Sequence, residues 1–366
     1  VPSVIEDVIV VDAVVHGYDF RPEMTNAVPG RTHQVAHLGL SSKRPEHERY
    51  SLSANEFERN FSAEQLVSCV FSESQVDFAA YHHLRGVGGR RPPGATESSP
   101  IEKGIEARKM APGRVFLYPM LANPWDVSQS KDEIDRLVEQ DGVVGLKFFP
   151  EEFDPTNKKL RDVRLDDRDI AFPIIEHARK RGIKVIAVHK AMGASIRAYG
   201  LADMDDTVAA FPDMNFEIVH AGMAFVEDTV RLAVRKNVYL NLESTSGLLS
   251  IAPRRFAEVL GQFLVPISEH AIATDRVIWA SGAVIRHPQP LLELFWNFKM
   301  PEDLMEGYGY PEITREMKRK MLGENWARMH GFDLKQMVAS VKGDRFGERQ
   351  SKEGLAEPWN KVREAA

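Results

Sequence analysis

Ile183–His189 reads IKVIAVH and Asn215–Gly222 reads NFEIVHAG, two apolar runs that each deliver one histidine where the run ends. A third run, Val8–Phe20, reads VIVVDAVVHGYDF and carries His16 in the same way. Strands that present one ligand-type side chain at their C-terminal tips build the active face of a parallel β/α barrel. Three such tips predict a barrel mouth.

Working outward, glycine, proline and charge bound apolar runs at Asp7–Val15, Leu66–Phe71, Arg114–Pro119, Val143–Phe149, Lys184–His189, Asn215–His220, Asn237–Glu243 and Arg276–Ser281. A closed β/α barrel needs eight. From the fourth run onward they alternate with helical patterns at Ile170–Arg181, Met204–Phe211, Val226–Lys236 and Arg254–Gly261, an order that favours a parallel sheet. VVGLKFF and IKVIAVH are apolar nearly throughout, as strands covered on both faces should be. An open doubly wound sheet carries the same alternation. The expected fold class is α/β, a (β/α)8 TIM-like barrel with long insertions after the first two strands and a C-terminal extension.

Barrels of this class often exceed 250 residues as one unit, so the 366 residues are read as one barrel over 1–331 and an arm over 332–366 on the surface or on a neighbouring subunit. The long stretches Gly17–Gln65 and Tyr81–Pro112 are expected to be lids, substrate loops or subunit contacts. With 43% hydrophobic residues the chain can bury a large core, yet no apolar stretch approaches the roughly 20 residues that span a bilayer. The opening VPSVIED has no basic segment followed by an apolar one, so no secretory signal is expected. A single cysteine, Cys69, permits no internal disulfide, and a reducing cytoplasm is the simplest compartment. A net charge of −6 without a Lys/Arg block argues against nucleic acid or an anionic membrane as partner. The expected ligand is a small molecule.

His189 and His220 are 31 residues apart, the length of one β/α unit, which sets them on adjacent strand tips. His16 completes the ring from the first strand. Three converging imidazoles suit zinc, iron or manganese. Lys147 ends the fourth run and reads either as a rim lysine paired with Glu151 or Glu152, or as a group in the pocket: a base, a carbamate bridging two metals, or an anchor for a substrate carboxylate. Glu243 ends the seventh run, where a metal or a ligand histidine's free N–H would partner it. His287 follows the eighth run and is a candidate for the active face. His82–His83 read as loop residues after the second strand. Asp12 shares a strand face with His16 and could orient it.

These residues carry a resemblance. His189, the HAGM segment from His220, GLKFFP (145–150) and LGENWARMHG (322–331) resemble the amidohydrolase-related superfamily, in the branch that contains aminocarboxymuconate semialdehyde decarboxylase. The resemblance covers Val8 to Gly331 and implies a metal-dependent barrel that hydrolyses, hydrates or decarboxylates small carboxylates. Two departures stand out. The branch's D-x-H-x-H is here Asp12-Ala-Val14-Val-His16, and its strand-eight G-S-D is Ala280-Ser281-Gly282, which removes a metal-binding aspartate. Either the site has decayed into a non-catalytic partner subunit, or other ligands are recruited. DAVVHGYDF, NLESTSG and SGAVIRHPQPLLELF are similar to a subgroup of two-subunit oxygenases of this fold with a two-metal iron or manganese centre.

That similarity implies a metal-dependent oxygenase, or a subunit of one, hydroxylating a small polar substrate with O2. His16, His189, His220 and Glu243 would ligate iron or manganese, zinc being possible, with His287 completing a second site and Lys147 bridging or positioning substrate. A mononuclear zinc or manganese decarboxylase or hydrolase is the alternative. A homo- or hetero-oligomer with a related barrel is expected, and HPQPLLELFWNFKMPEDLMEGYGYP (287–311) reads equally as a subunit contact or as the barrel's own last helix.

Overall fold

In the computed structural model, residues 5, 7–21, 44–86, 97–154, 156–191, 195–265 and 274–365 are described. Eight parallel strands form the ring: β1 (Val11–Val15), β2 (Phe78–His82), β3 (Val115–Tyr118), β4 (Gly145–Phe148), then, after an antiparallel hairpin β5 (Glu151–Asp154) and β6 (Lys159–Asp162), β7 (Val185–His189), β8 (Asn215–Val219), β9 (Val238–Asn241) and β10 (Val277–Ile278). They pair as β1-β2-β3 and as β10-β9-β8-β7-β4. Two seams close the ring. Leu117 bridges Val143 between β3 and β4, and beyond β10 the backbone of Ala283 bridges Val15 while His16 N–H donates to Ala283 O at 2.6 Å. Among the described residues the eight parallel strands thus close on themselves, and the barrel expectation holds.

Period-two alternation sorts the side chains into two cores. Ile186, Val188, Phe216, Ile218 and Leu240 point outward and join the large cluster with helix residues such as Ile174, Val208 and Phe256. Val185, Ala187, Val219, Tyr239, Ala13, Ala80 and Ala280 fill the lumen, which Trp326 and Met329 also line. Gly145 matters here. A Cβ at that position would stand 2.7 Å from the Tyr118 ring, so glycine leaves the lumen width that the tyrosine occupies.

One strand is not where the sequence reading put it. Leu66–Phe71 is helical, Ala63–Val67 running into a π-turn over Ser68–Ser72, and the second strand is Phe78–His82. Ser62 and Gln65 form a reciprocal capping box at that helix start, a local signal that outweighs the apolar run. His82 is consequently a strand tip and not a loop residue. The four later helices appear as expected, at Ala171–Lys180, Met204–Ala210, Val226–Leu232 and Pro253–Leu264. In the two long insertions, residues 22–43 and 87–96 lie outside the described residues; the remainder includes the barrel helix Ile101–Met110.

Pro288–Asn297 buries Leu291, Leu292, Phe295 and Trp296 against its own barrel. The segment after Gly331 forms helices at Leu334–Ser340, Arg345–Glu353 and Asn360–Arg363. It is pinned down as well as helical. Asp344 forms an ion pair with Arg114, and the fully buried Trp359 donates its indole N–H to Tyr50 O at 2.8 Å and its backbone N–H to Glu73 at 2.6 Å. No helix among the described residues is long and apolar enough to cross a membrane.

Removing a fully buried aromatic costs about 3–5 kcal/mol. Trp359→Ala should therefore lower the urea midpoint by that equivalent, whereas Leu355→Ala, at a residue 37% exposed, should change it little.

Candidate active site

Alternation places His82, Lys147, His189 and Glu243 in the lumen layer nearest the C-terminal tips, because Ala80, Gly145, Ala187 and Asn241 lie two residues earlier on the same faces. His220 follows the inward-facing Val219 and would point outward if the strand continued. It does not continue. His220 and Ala221 take left-handed backbone (φ +70° and +50°), which turns the imidazole back over the mouth at a cost of roughly 1–2 kcal/mol per residue.

The result is a line of close polar contacts across adjacent tips. His189 Nδ1 lies 3.0 Å from His220 Nε2, and His220 Nδ1 contacts Glu243 Oε2. Ser244 Oγ donates to the same carboxylate at 2.8 Å, and Arg286 Nη2 donates to Glu243 Oε1 at 3.0 Å. Burial would raise the Glu243 carboxyl, but His220 and Arg286 outweigh it and hold the group well below the usual carboxylate range. A carboxylate beside Nδ1 favours the tautomer that carries its proton there and presents Nε2.

Around this line the side chains are largely buried. His16, across the ring on β1, has Nδ1 2.7 Å from His82 O, and burial lowers its pKa to about 3. His82 stacks on Tyr118 with centroids 4.4 Å apart, and neither of its ring nitrogens has a hydrogen bond of ordinary geometry. Lys147, 2% exposed, forms no salt bridge among the described residues; burial lowers its pKa, and Glu217 and Glu243 oppose that shift. The rim pairing with Glu151 or Glu152 does not form. Glu217 lies deeper in the lumen, accepts from Asn241, leaves Oε2 unpartnered, and is raised by burial. Phe149 packs 4.2 Å and Tyr199 5.9 Å from the His189 ring.

Strand eight explains its missing aspartate. At Gly282 (φ +72°) a Cβ would stand 2.2 Å from Glu243 Oε1 and 3.1 Å from Arg286 Nη2. The volume that a side chain at 282 would enter is filled by the Glu243–Arg286 ion pair. Asp12, fully buried, accepts from the backbone N–H of Ser281 at 2.9 Å and from its hydroxyl, so it braces strand one against strand eight. Burial raises it to about 7 despite those bonds.

His287 is not brought to the mouth. Its Nε2 lies 3.2 Å from Glu73, its Nδ1 accepts from Gln289 N–H, and its ring packs between Tyr50 and Trp359. With Cys69 and Glu73 it makes a group whose ligand-type atoms all lie within 4.8 Å, the one such triad among the described residues. Its polar atoms are already spent: Glu73 also accepts from Ser68 and Trp359, and the Nδ1 acceptor bond puts the His287 proton on Nε2. This is a satisfied structural lock.

His189 Nδ1 and His220 Nε2, 3.0 Å apart, are close enough to be two ligands of one metal ion, and a carboxylate backs His220. His16 does not bring a third donor within 4.8 Å of both, since Cys69, Glu73 and His287 are the one three-donor group that close among the described residues. Both Glu243 oxygens are engaged, one with His220 and the other with Arg286. Arg286 was missed by the sequence reading; an arginine inside the apolar run AVIRHP, just past a strand tip, was the available signal.

Two outcomes test this geometry. Gly282→Ala should displace Glu243 and lower the melting temperature by several degrees, the reverse of the gain of about 0.4–1 kcal/mol that the same change brings where the backbone suits alanine. Asp12, with its folded pKa raised, stabilises fully below about pH 4 and loses that contribution as pH rises through about 7. In thermal melts Asp12→Asn should flatten that part of the decline; an unchanged pH profile would refute the assignment.

No curated protein matches the chain. Among solved structures it resembles an uncharacterized TIM-barrel protein from Bordetella bronchiseptica (15% identity, TM-score 0.57, 88% of this chain and 99% of that one). It also resembles 5-carboxyvanillate decarboxylase from Novosphingobium aromaticivorans, a structure with bound manganese (13%, 0.52, 89% and 98%). A third is dihydroxybenzoic acid decarboxylase from a Polaromonas species, likewise with manganese (12%, 0.51, 89% and 97%). At these identities the likeness shows a shared barrel fold. The sequence pattern of one family, described as amidohydrolase, matches residues 78–332, well over half of the chain, and the protein belongs to that family.

Proposed function

We propose that the chain is a mononuclear, divalent-metal-dependent enzyme that decarboxylates a small carboxylic acid. The observation that carries this reading is the His189–His220–Glu243 line, a ligand pair whose second histidine is backed by a carboxylate. Its support from other proteins is that two barrels of the same fold are decarboxylases solved with manganese. His189 and His220 would hold the ion, and His16 would complete the set by moving toward them. When bound, it supplies a Lewis acid that polarises the substrate and accepts developing negative charge.

The chain's own groups do the rest. Glu243 would keep His220 in the tautomer that presents Nε2, and His189 would serve as a ligand through its unprotonated Nδ1. Phe149 and Tyr199, packed about His189, exclude water from the reacting face. In the reaction the bond from carbon to the carboxyl group breaks, the electron pair stays on carbon, and the carboxyl leaves as CO2. Carbon must then receive a proton. Lys147 Nζ is placed to give it, since burial without a salt bridge weakens its hold on that proton.

The two-metal oxygenase reading draws less from these positions. A second ion would need Glu243 and His287 as ligands, and both are committed elsewhere. Elemental analysis of the purified chain decides the matter. About one equivalent of manganese or zinc is expected, lost in His189→Ala and His220→Ala, held about 10–100-fold more weakly in Glu243→Gln, and unaffected by His287→Ala. Two equivalents of iron would favour the oxygenase, and no uptake of any ion would leave a partner subunit.

A further inference from the structure

We infer that the cavity between the β5–β6 hairpin and the helical turn Ile196–Tyr199 is a second binding site, separate from the histidines, and that it takes a small carboxylate with a flat apolar body. The cavity measures about 420 Å3, within the range of small-molecule sites. It lies outside the barrel ring. Phe148, which lines it, belongs to the outward core and by alternation faces away from the lumen that Lys147 enters. The inference does not depend on the decarboxylase reading.

Its lining has an apolar side and a cationic one. Trp125, Phe148 and Leu160 supply the apolar side, and the Trp125 indole N–H donates to Asp162 O at 3.0 Å, which holds the ring against the hairpin. On the other side Lys159, Arg161, Arg164 and Arg197 meet only the carboxylates of Asp162 and Asp167. The four cations are unequally committed. Arg164 closes on Asp166 through Nε at 2.9 Å and Nη2 at 2.5 Å. Arg161 reaches Asp154 through Nη1 at 3.4 Å, and Asp154 already accepts shorter bonds from Thr156 N–H at 2.9 Å, Asn157 N–H at 3.0 Å and Asn157 Nδ2 at 2.7 Å. Arg197, 74% exposed, approaches Asp162 at 3.5 Å, and Lys159 forms no ion pair among the described residues. Asp167 accepts from the N–H groups of Asp169 and Ile170, where the helix Ala171–Lys180 begins.

An entering carboxylate would therefore gain charge-assisted bonds to Lys159, Arg161 and Arg197 while breaking no short one, and a planar guanidinium suits a planar anion. Its apolar body would cover Trp125 and Phe148. The walls are set in advance. Lys190, fully buried, donates to Ala198 O at 2.9 Å and to Asp203 Oδ1 at 2.7 Å, and Asp203 Oδ2 accepts from Leu165 N–H at 3.3 Å. The segments that carry Arg197 and Arg164 are thus tied to one buried ion pair. A site ordered before its ligand arrives loses less on binding it.

The test is calorimetric binding to the full chain, metal-free and at constant ionic strength, of 2-naphthoate, acetate and 2-naphthylmethylamine. 2-Naphthoate should bind about tenfold or more tightly than acetate, which lacks the apolar body, and than the amine, which reverses the charge. Lys159 and Arg197 are exposed, so Lys159→Gln and Arg197→Gln leave the fold intact; each should weaken 2-naphthoate about threefold to fivefold, and the double variant by about tenfold or more. Trp125→Leu should remove most of the advantage over acetate. Adding manganese should leave the affinity within about twofold, because the cavity lies apart from the histidines. Undetectable binding of 2-naphthoate, acetate or the amine binding as tightly, or affinity that survives the double variant, overturns the site. Binding that survives the double variant and changes with manganese would place the ligand at the barrel mouth instead.

Discussion

The bond between Glu243 and His220 is the interaction on which the mouth depends. In a closed ring of eight strands the inward positions look onto apolar lumen below and neighbouring tips above, so each charge must be answered by the side chain beside it. Glu243 answers three groups at once: it favours one His220 tautomer, it neutralises most of Arg286, and it moderates the loss of basicity that burial imposes on Lys147. The left-handed turn at His220 and Ala221 exists to bring the imidazole within its reach. Removing a partner from a buried pair costs more than the pair gains, which makes this arrangement all-or-none.

A small residue makes the arrangement possible. Where the resemblance predicts a carboxylate on strand eight, Gly282 leaves a gap that a carboxylate from strand seven fills. Loss of a ligand in the linear sequence is therefore not loss of negative charge in space. The difference is that the carboxylate now arrives with an arginine attached.

Much of this was legible in the sequence because a strand tip is a local pattern. His16, His189 and Glu243 stand at the ends of apolar runs, and alternation within each strand settles which way they face. His220 was found for the right run and by an incomplete rule, since alternation alone turns it outward. His82 was hidden because Leu66–Phe71 is as apolar as a strand while FAAYH, with its two alanines, is not; the Ser62 and Gln65 capping signal was the better guide. His287 misled through proximity: Pro288 opens a helix there and the chain turns the histidine toward Glu73, a contact 214 residues distant in sequence. No local pattern reports a contact of that range.

The lock around Glu73 also bears on the order in which the protein is made. Glu73 is committed to burial near the second strand, yet its donors His287 and Trp359 are synthesised hundreds of residues later. The ring itself cannot close before Ala283 reaches Val15. Until then a growing chain presents an unpaired edge at β1 and an unanswered carboxylate beside it. Synthesis from the N-terminus thus makes the second neighbour of the first strand one of the last barrel segments translated.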